Sequence, residues 1–305
     1  MKNSSILKGV KKLINLFKEA FSEFISDNVL KLSAALSYYT VFSLAPLLII
    51  ITSVCSLWLG PKAIQGELNG QIKNLVGDKA ASQIQDMVAN TSLTSNSAFV
   101  AIVGGIILVI GASGIFAEIQ DSINYIWGIK SKPNLGLKRF LKNRIMSFSM
   151  IGSLGFLLLV SLLFSSAMEL MNKRLLIYLH SETAYIYYLL NIVVVFILTT
   201  LLFLVIFKIL PDGKISFKDC FLGASFTAIL FMLGKFLIGA YLGSSAMTTV
   251  YGSAGSLAII LAWVYYSAII LYFGAEFTKV YSKTYGKNII PDKYTVLIPK
   301  SEGNL

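Results

Sequence analysis

The sequence predicts an all-α protein: a polytopic membrane helix bundle with six transmembrane helices and an N-terminal interfacial amphipathic helix. Hydrophobic residues make up 56% of the 305 residues and charged residues only 13%, a composition too apolar for an ordinary soluble protein. Residues 36–59 contain no charged side chain, and a helix of that length crosses a hydrocarbon core of roughly 30 Å. Lipid admits only helices or closed barrels, and an unbroken apolar run favours the helix.

The segment before this span has an amphipathic helical pattern. Across residues 6–32 apolar side chains recur at helical spacing, and lysines and glutamates occupy the other face. The segment is too charged to span, so we expect it to lie in the headgroup region; a soluble helix packed on a cytoplasmic loop is the alternative. The chain is therefore divided into a cytoplasmic amphipathic helix (1–35), a transmembrane domain (36–278) and a cytoplasmic tail (279–305).

Further elements follow in order along the chain. Pro46 removes a backbone donor within the first span and predicts a kink near Tyr38 and Tyr39. A polar outer segment, residues 60–97, has the pattern of two short amphipathic helices. Trp127, at the end of the second span, is expected to be an interfacial aromatic anchor. The other five spans are predicted at residues 99–126, 145–168, 185–207, 220–242 and 253–277.

The distribution of basic residues predicts the orientation. Of 26 lysines and arginines, twenty fall on one side of the six predicted crossings, five fall on the other side, and Lys235 lies within a span. This positive-inside bias places both termini in the cytoplasm. The net charge of +11 is thus explained by topology, and the same face attracts anionic lipid headgroups. Cys55 and Cys220 have no paired spacing and predict neither a disulfide nor a metal site.

Four strings resemble the YihY/virulence factor BrkB family of bacterial inner-membrane proteins. They are SAALSYYTVFSLAPLL (33–48), ASGIFAEIQDSINYIWG (112–128), ILPDGKISFKD (209–219) and YGSAGSLAIILAWVYYSAIILYFGAE (251–276). The resemblance covers nearly the whole chain and implies six helices in the bacterial inner membrane with cytoplasmic termini. Family members have often carried the label ribonuclease BN, and some have been connected with serum resistance and with lipopolysaccharide or phospholipid traffic. The resemblance carries no catalytic residue onto this chain.

The ribonuclease label disagrees with the residues present. A zinc-dependent nuclease needs several His and Asp ligands around its metal, and His180, in a predicted outer loop, is the single histidine. We therefore expect no enzymatic activity, no cofactor, no metal and no nucleic-acid partner. The sequence also has no ATP-binding P-loop, so any transport is passive, gradient-driven or powered by a partner.

Ionisable and polar side chains at membrane depth mark candidate cavities, because they are expensive in lipid. Lys235, in the outer half of the fifth span, either binds an anionic group in a cavity or snorkels to the interface. Small, hydroxylated and aromatic residues on one face of the sixth span either line an amphiphile-sized groove or pack against other helices. The cavity candidates are Lys235, Tyr38, Tyr39, Pro46, Gly252, Ser256, Trp263 and Ser267.

Acidic residues near the inner helix ends form a second candidate group. Glu118 and Asp121 share one face of the second span, and Asn124 continues that face. With the basic residues of segment 128–144 they form an inner gate, a structural lock or a simple interfacial ion cluster. The inner-gate candidates are Glu118, Asp121, Asn124, Glu276, Arg139 and Arg144.

These features give a leading hypothesis of function. The protein moves or presents an anionic amphiphile, a phospholipid or lipopolysaccharide-type lipid, for envelope biogenesis. Membrane lipids are its expected partners, and envelope-assembly proteins are a further class. A non-transporting scaffold for envelope assembly and a solute or ion channel are the alternatives.

Overall fold

A computed structural model describes residues 2–59, 98–132, 145–146, 149–153, 156–157, 160, 183–244, 255–293 and 295–298. Within these residues the fold is mostly helical, as predicted. Its long helices are α1 (Lys2–Ser26), α2 (Val29–Leu59), α3 (Ala98–Ile126), α4 (Thr183–Ile209), α5 (Phe217–Ser244) and α6 (Gly255–Thr284). Its short strands are β1 (Ile129–Ser131), β2 (Gly213–Lys214), β3 (Ile290–Pro291) and β4 (Thr295–Leu297).

Three helices of the described chain are long and apolar enough to cross a membrane. They are Leu189–Ile209, Phe217–Lys235 and Leu257–Thr284, which coincide with the predicted fourth, fifth and sixth spans. Helices α2 and α3 contain the first two predicted spans. The predicted third span lies largely outside the described residues, as does the outer segment 60–97, so the count of six crossings stays a prediction.

Two helix boundaries differ from those expected. Helix α1 ends at Ser26 and α2 already begins at Val29, because Asn28 has a φ of 52° and breaks the helix. Asparagine tolerates this left-handed conformation better than most residues. Helix α6 continues to Thr284, so residues 279–284, assigned to the tail by the sequence, are helical.

Helix α6 lies at the centre of the described bundle, packed against α1, α2 and α5. In α1, the buried Leu16 and Ala20 pack with Phe277 of α6. Part of the apolar face of α1 is therefore covered by the bundle, as in the packed alternative. Phe21 and Ile25 remain 58% and 54% exposed, so the interfacial placement of this helix stays a prediction.

Helices α5 and α6 meet through a repeated pattern, GASFT at 223–227 and GAEFT at 274–278. A Cβ at Gly223 would overlap the side chain of Thr278, and a Cβ at Gly274 would overlap that of Thr227. Each threonine hydroxyl donates to the glycine carbonyl four residues earlier in its own helix, at 2.7 Å for Thr227 and 2.6 Å for Thr278. Close helix approach through small residues is typical of membrane bundles.

Gly223→Ala is expected to destabilise the protein by about 1–3 kcal/mol, because the added methyl overpacks a contact that has no free space. The matched control is Gly152→Ala, where no described atom lies within 4 Å of the new Cβ. Thermal unfolding in detergent should show a lower midpoint for Gly223→Ala alone. Equal midpoints for the two variants would contradict the close α5–α6 contact.

Two antiparallel strand pairs close one end of the bundle and were not predicted. Strand β1, after α3, pairs with β4, with Ile129 opposite Leu297. Strand β2, after α4, pairs with β3, with Gly213 opposite Pro291. The segment after α6 therefore folds back on two loops instead of leaving the bundle. We call residues 127–132, 210–216, 285–293 and 295–298 the basal layer.

Candidate functional site

A buried cluster of charged side chains lies where α1, α3 and α6 meet near the basal layer. The Nζ atom of Lys279 lies 2.8 Å from Oε2 of Glu23, 2.7 Å from Oε2 of Glu276 and 3.6 Å from Oδ2 of Asp27. It also donates to the carbonyl oxygen of Ile126 at 3.0 Å. We call Glu23, Asp27, Glu276 and Lys279 the Lys279 cluster.

Local helix chemistry explains why these groups meet. Glu276 and Lys279 are three residues apart on α6 and therefore share a face. Ile126 is the last residue of α3, and the final carbonyls of a helix have no partner within it. That end also carries the negative pole of the helix dipole, which attracts a cation. Lys279 thus donates hydrogen bonds to a helix end and to Glu23, and forms an ion pair with Glu276.

Burial makes the charges of the Lys279 cluster depend on one another. The side chain of Glu276 is 0% exposed and that of Asp27 is 3% exposed, whereas that of Glu23 is 31% exposed. Removing one partner of a buried ion pair leaves a charge without compensation, which is far more costly than losing a surface pair. The cluster therefore fastens α1 and the α1–α2 turn to α6.

A second network joins α3 to the basal layer through Asp212. Its Oδ2 accepts hydrogen bonds from Gln120 at 3.2 Å and from Asn124 at 3.1 Å. Its backbone N–H donates to Oδ1 of Asn124 at 2.8 Å, which also fixes the orientation of that amide. The Asp212 carbonyl accepts from Thr295 Oγ1 at 2.9 Å and from the N–H of Asp292 at 3.0 Å. One aspartate thus links α3, the α4–α5 connection and the C-terminal segment.

A third network, centred on Asp219, fastens α5 to the end of α6. Its Oδ2 accepts from Ser282 Oγ and from the backbone N–H of Lys287, both at 3.1 Å. A Cβ at Gly286 would overlap this carboxylate, so a glycine is required for the close approach. Asp212 and Asp219 are both buried, and their contacts are structural.

The predicted cavity residues that the structure describes lie on three helices, α2, α5 and α6. Lys235 is exposed on α5. Tyr38 and Tyr39 are exposed on α2 and pack against each other at 5.9 Å between ring centroids. Trp263 is buried with its ring 6.4 Å from Phe231 of α5, so it contributes to helix packing.

The remaining cavity candidates lie in α2, in α6 or outside the described residues. Ser267 donates its hydroxyl to the Trp263 carbonyl at 2.9 Å, within α6. Helix α2 is a single helix through Pro46, and Ser256 lies in the first turn of α6. Gly252 lies outside the described residues.

The inner-gate candidates are divided between two networks. Glu276 belongs to the Lys279 cluster and Asn124 to the Asp212 network. Glu118 is half-buried and accepts from Ser122 Oγ at 3.3 Å, and Asp121 is exposed. Arg139 and Arg144 lie outside the described residues, so their predicted pairing with these acids stays a prediction.

Several important residues were not singled out from the sequence. Glu23 and Asp27 appeared only as polar residues of an amphipathic segment, and Lys279 appeared only as one basic residue of a tail. Trp127, expected at the lipid interface, is buried instead, and its indole N–H donates to the Ala275 carbonyl at 3.1 Å. The i, i+3 spacing of Glu276 and Lys279 was the one local signal that could have found the cluster.

An open groove runs along α1 beside the cluster. It has a volume of about 780 Å³, and its apolar walls include Phe17, Phe21 and Ile25 of α1 and Phe273 of α6. Lys18 stands at its edge and is exposed. The groove therefore combines an aromatic floor with one cationic side chain.

Long apolar helices and a polar network closing one end define a helical membrane protein. The chain belongs to the family described as Virulence factor BrkB, whose model matches residues 20–293. The family identified from the sequence strings is thereby confirmed.

Curated relatives agree with this assignment. A UPF0761 membrane protein of Vibrio vulnificus is 27% identical over 263 residues, which cover 80% of this chain and 74% of the relative. One of Haemophilus influenzae is 28% identical over 265 residues, 86% of this chain and 91% of the relative. One of Teredinibacter turnerae is 26% identical over 301 residues, 98% of this chain and 68% of the relative. No solved structure matches the chain.

Proposed function

We propose that this protein is a non-catalytic component of the bacterial inner membrane that binds an anionic amphiphile and moves or presents it for envelope biogenesis. Both termini lie in the cytoplasm in this proposal, as the positive-inside bias favours. The observation that carries it is the groove between α1 and α6. Its walls suit an acyl chain, and Lys18 suits a phosphate or other anionic headgroup.

The position of the groove supports a lipid as its occupant. Phe273, in the groove wall, is eleven residues before the end of α6 at Thr284, and α6 is apolar enough to cross a membrane. The groove thus lies toward one end of a candidate membrane helix, where headgroups and acyl chains meet. Each lysine near the headgroups of anionic lipids contributes about 1 kcal/mol to the free energy of lipid binding.

Lys18→Glu is expected to reduce the retention of anionic phospholipid by roughly tenfold or more, because the substitution replaces an attractive charge with a repulsive one. The matched control is Lys11→Glu, an exposed lysine on the same helix two turns earlier. Purified full-length protein would be exchanged into nanodiscs containing phosphatidylglycerol and phosphatidylcholine. Native mass spectrometry would then count the retained lipids. Equal retention by the two variants would exclude the groove as the binding site.

A second measurement separates movement from presentation. Protein reconstituted in liposomes should accelerate the flip-flop of a fluorescent phosphatidylglycerol over empty vesicles, and Lys18→Glu should slow it. Lys235→Ala tests the other cationic candidate in the same assay. Retention without faster flip-flop favours presentation of the lipid, whereas neither retention nor flip-flop favours the scaffold alternative.

A further inference from the structure

The Lys279 cluster contains more negative than positive groups. Three carboxylates, those of Glu23, Asp27 and Glu276, have ligand oxygens within 4.8 Å of one another, and a single ammonium lies among them. Two of these carboxylates are almost completely buried. Carboxylates this close do not all ionise in a buried site, because each added charge is repelled by the others and is poorly solvated.

Lys279 carries one positive charge and cannot compensate the negative charges of all three carboxylates. An ammonium has three N–H donors, and Lys279 donates to Glu23 and to the Ile126 carbonyl. Its 2.7 Å contact with Oε2 of Glu276 is an ion pair without a hydrogen bond. Asp27 lies farther away, at 3.6 Å. Both carboxylate oxygens of Glu276 are buried and have no hydrogen-bond partner in the part of the chain that the structure describes. The buried carboxylate of Glu276 therefore lacks a hydrogen-bond donor.

We infer that Asp27 and Glu276 share one proton, so that the Lys279 cluster is a proton-binding site that controls the attachment of α1 to α6. One protonated carboxyl group donates to the other, as in pairs of close carboxylates that titrate as a unit. Glu23, the most exposed of the three, keeps its ion pair with Lys279. This inference concerns only the α1–α6 contact and holds whether or not the groove binds lipid.

The groups around the proton set the direction of the pH dependence. Among the described residues, α1 contributes Glu23, the α1–α2 turn contributes Asp27 and α6 contributes Glu276 and Lys279. Helix α3 contributes the carbonyl of Ile126. Loss of the proton adds one negative charge to a cluster that already has an excess of them. Attachment of α1 is therefore complete at low pH and weakens as pH rises through the titration of the pair.

A proton fits this site better than a metal ion. The oxygen donors would suit a hard cation such as Mg²⁺ or Ca²⁺, yet the ammonium of Lys279 already occupies the position among them. A metal would have to displace it. Addition of Mg²⁺ or Ca²⁺ is nevertheless part of the test.

Dipolar broadening between two spin labels measures the attachment of α1 directly. Labels would be placed at the exposed positions Asn15 and Lys283 of the full chain in nanodiscs, with Cys55 and Cys220 replaced by alanine. From about pH 5 to about pH 9, the ratio of attached to detached α1 should fall by up to about tenfold per pH unit across the titration, the limit for one proton. Glu276→Gln, whose amide supplies the donor, should keep α1 attached throughout this range.

Two further variants keep the test decisive. Glu19→Gln, an exposed residue of α1, should preserve the pH dependence of the unsubstituted cluster. Asp27→Asn should abolish it, and replaces Glu276→Gln if that variant fails to fold. A pH-independent signal in the unsubstituted cluster, or an unchanged pH dependence in both amide variants, overturns the inference. Recovery of attachment at high pH by Mg²⁺ or Ca²⁺ also overturns it, since the site would then bind a metal.

Discussion

Lys279→Met is expected to destabilise the protein by about 3–5 kcal/mol, because it leaves buried carboxylates without their counter-charge. Lys279 is also the donor to the last carbonyl of α3, so the substitution affects three helices. Reversible unfolding by SDS in mixed micelles would measure the loss. We expect α1 to detach first, since Glu23 and Asp27 are its charged contacts to α6.

Lys283→Met is the matched control for this prediction. Lys283 is one turn later on α6 and is exposed, so its removal should change stability by less than about 0.5 kcal/mol. At a pH above the titration of the Asp27–Glu276 pair, a double variant, Lys279→Met with Glu276→Gln, should recover part of the loss, because Glu276→Gln then removes one of the uncompensated charges. Comparable losses for the two lysine variants would show that the cluster does not hold the helices together.

Asp212→Asn is expected to destabilise the protein by about 2 kcal/mol, although it changes neither size nor shape. Oδ2 of Asp212 accepts from the amides of Gln120 and Asn124. An asparagine offers both donors only a neutral amide oxygen, and its NH₂ group replaces the other carboxylate oxygen. Hydrogen bonds to a charged acceptor contribute about 1.5–3 kcal/mol, and a buried donor without a partner is costly. Weakening of the Asp212 network should also loosen the C-terminal segment, because Thr295 and Asp292 donate to the Asp212 carbonyl.

The control for Asp212 lies on α3. Asp121→Asn removes the same charge next to Gln120 from an exposed position, and we expect a change below about 0.5 kcal/mol. Limited proteolysis after residue 284 gives a second readout, because only Asp212→Asn should release the C-terminal segment. A stable Asp212→Asn variant with a protected C-terminus would contradict the role given to this network.

The membrane helices could be predicted because their signal is local. Helices α4, α5 and α6 each contain an apolar stretch long enough to cross a bilayer, and no distant residue is needed to recognise it. The end of α1 was not predicted, because the amphipathic pattern of residues 6–32 continues past the break between Ser26 and Val29. Asn28 has a left-handed φ that separates the two helices. A single asparagine in the sequence is only a weak signal for such a break.

The clusters could not be predicted because their members are far apart in the chain. Lys279 and Glu23 are separated by 256 residues, and Asn124 and Asp212 by 88. In the sequence, a lysine after an apolar helix is explained by the positive-inside rule, so nothing distinguished Lys279 from the other basic residues. The strands β2 and β3 contain two residues each, too few to show the alternation by which strands are recognised.

The strand pairs constrain the order in which this end of the protein is completed during biosynthesis. Strands β1 and β2 leave the ribosome well before β3 and β4, which belong to the last part of the chain. Their backbone donors and acceptors must stay hydrated, or be held by an insertion factor, until translation reaches residue 297. This end of the bundle is therefore completed only after α6 has been synthesised, and a nascent chain that stalls before β3 has unpaired strands β1 and β2.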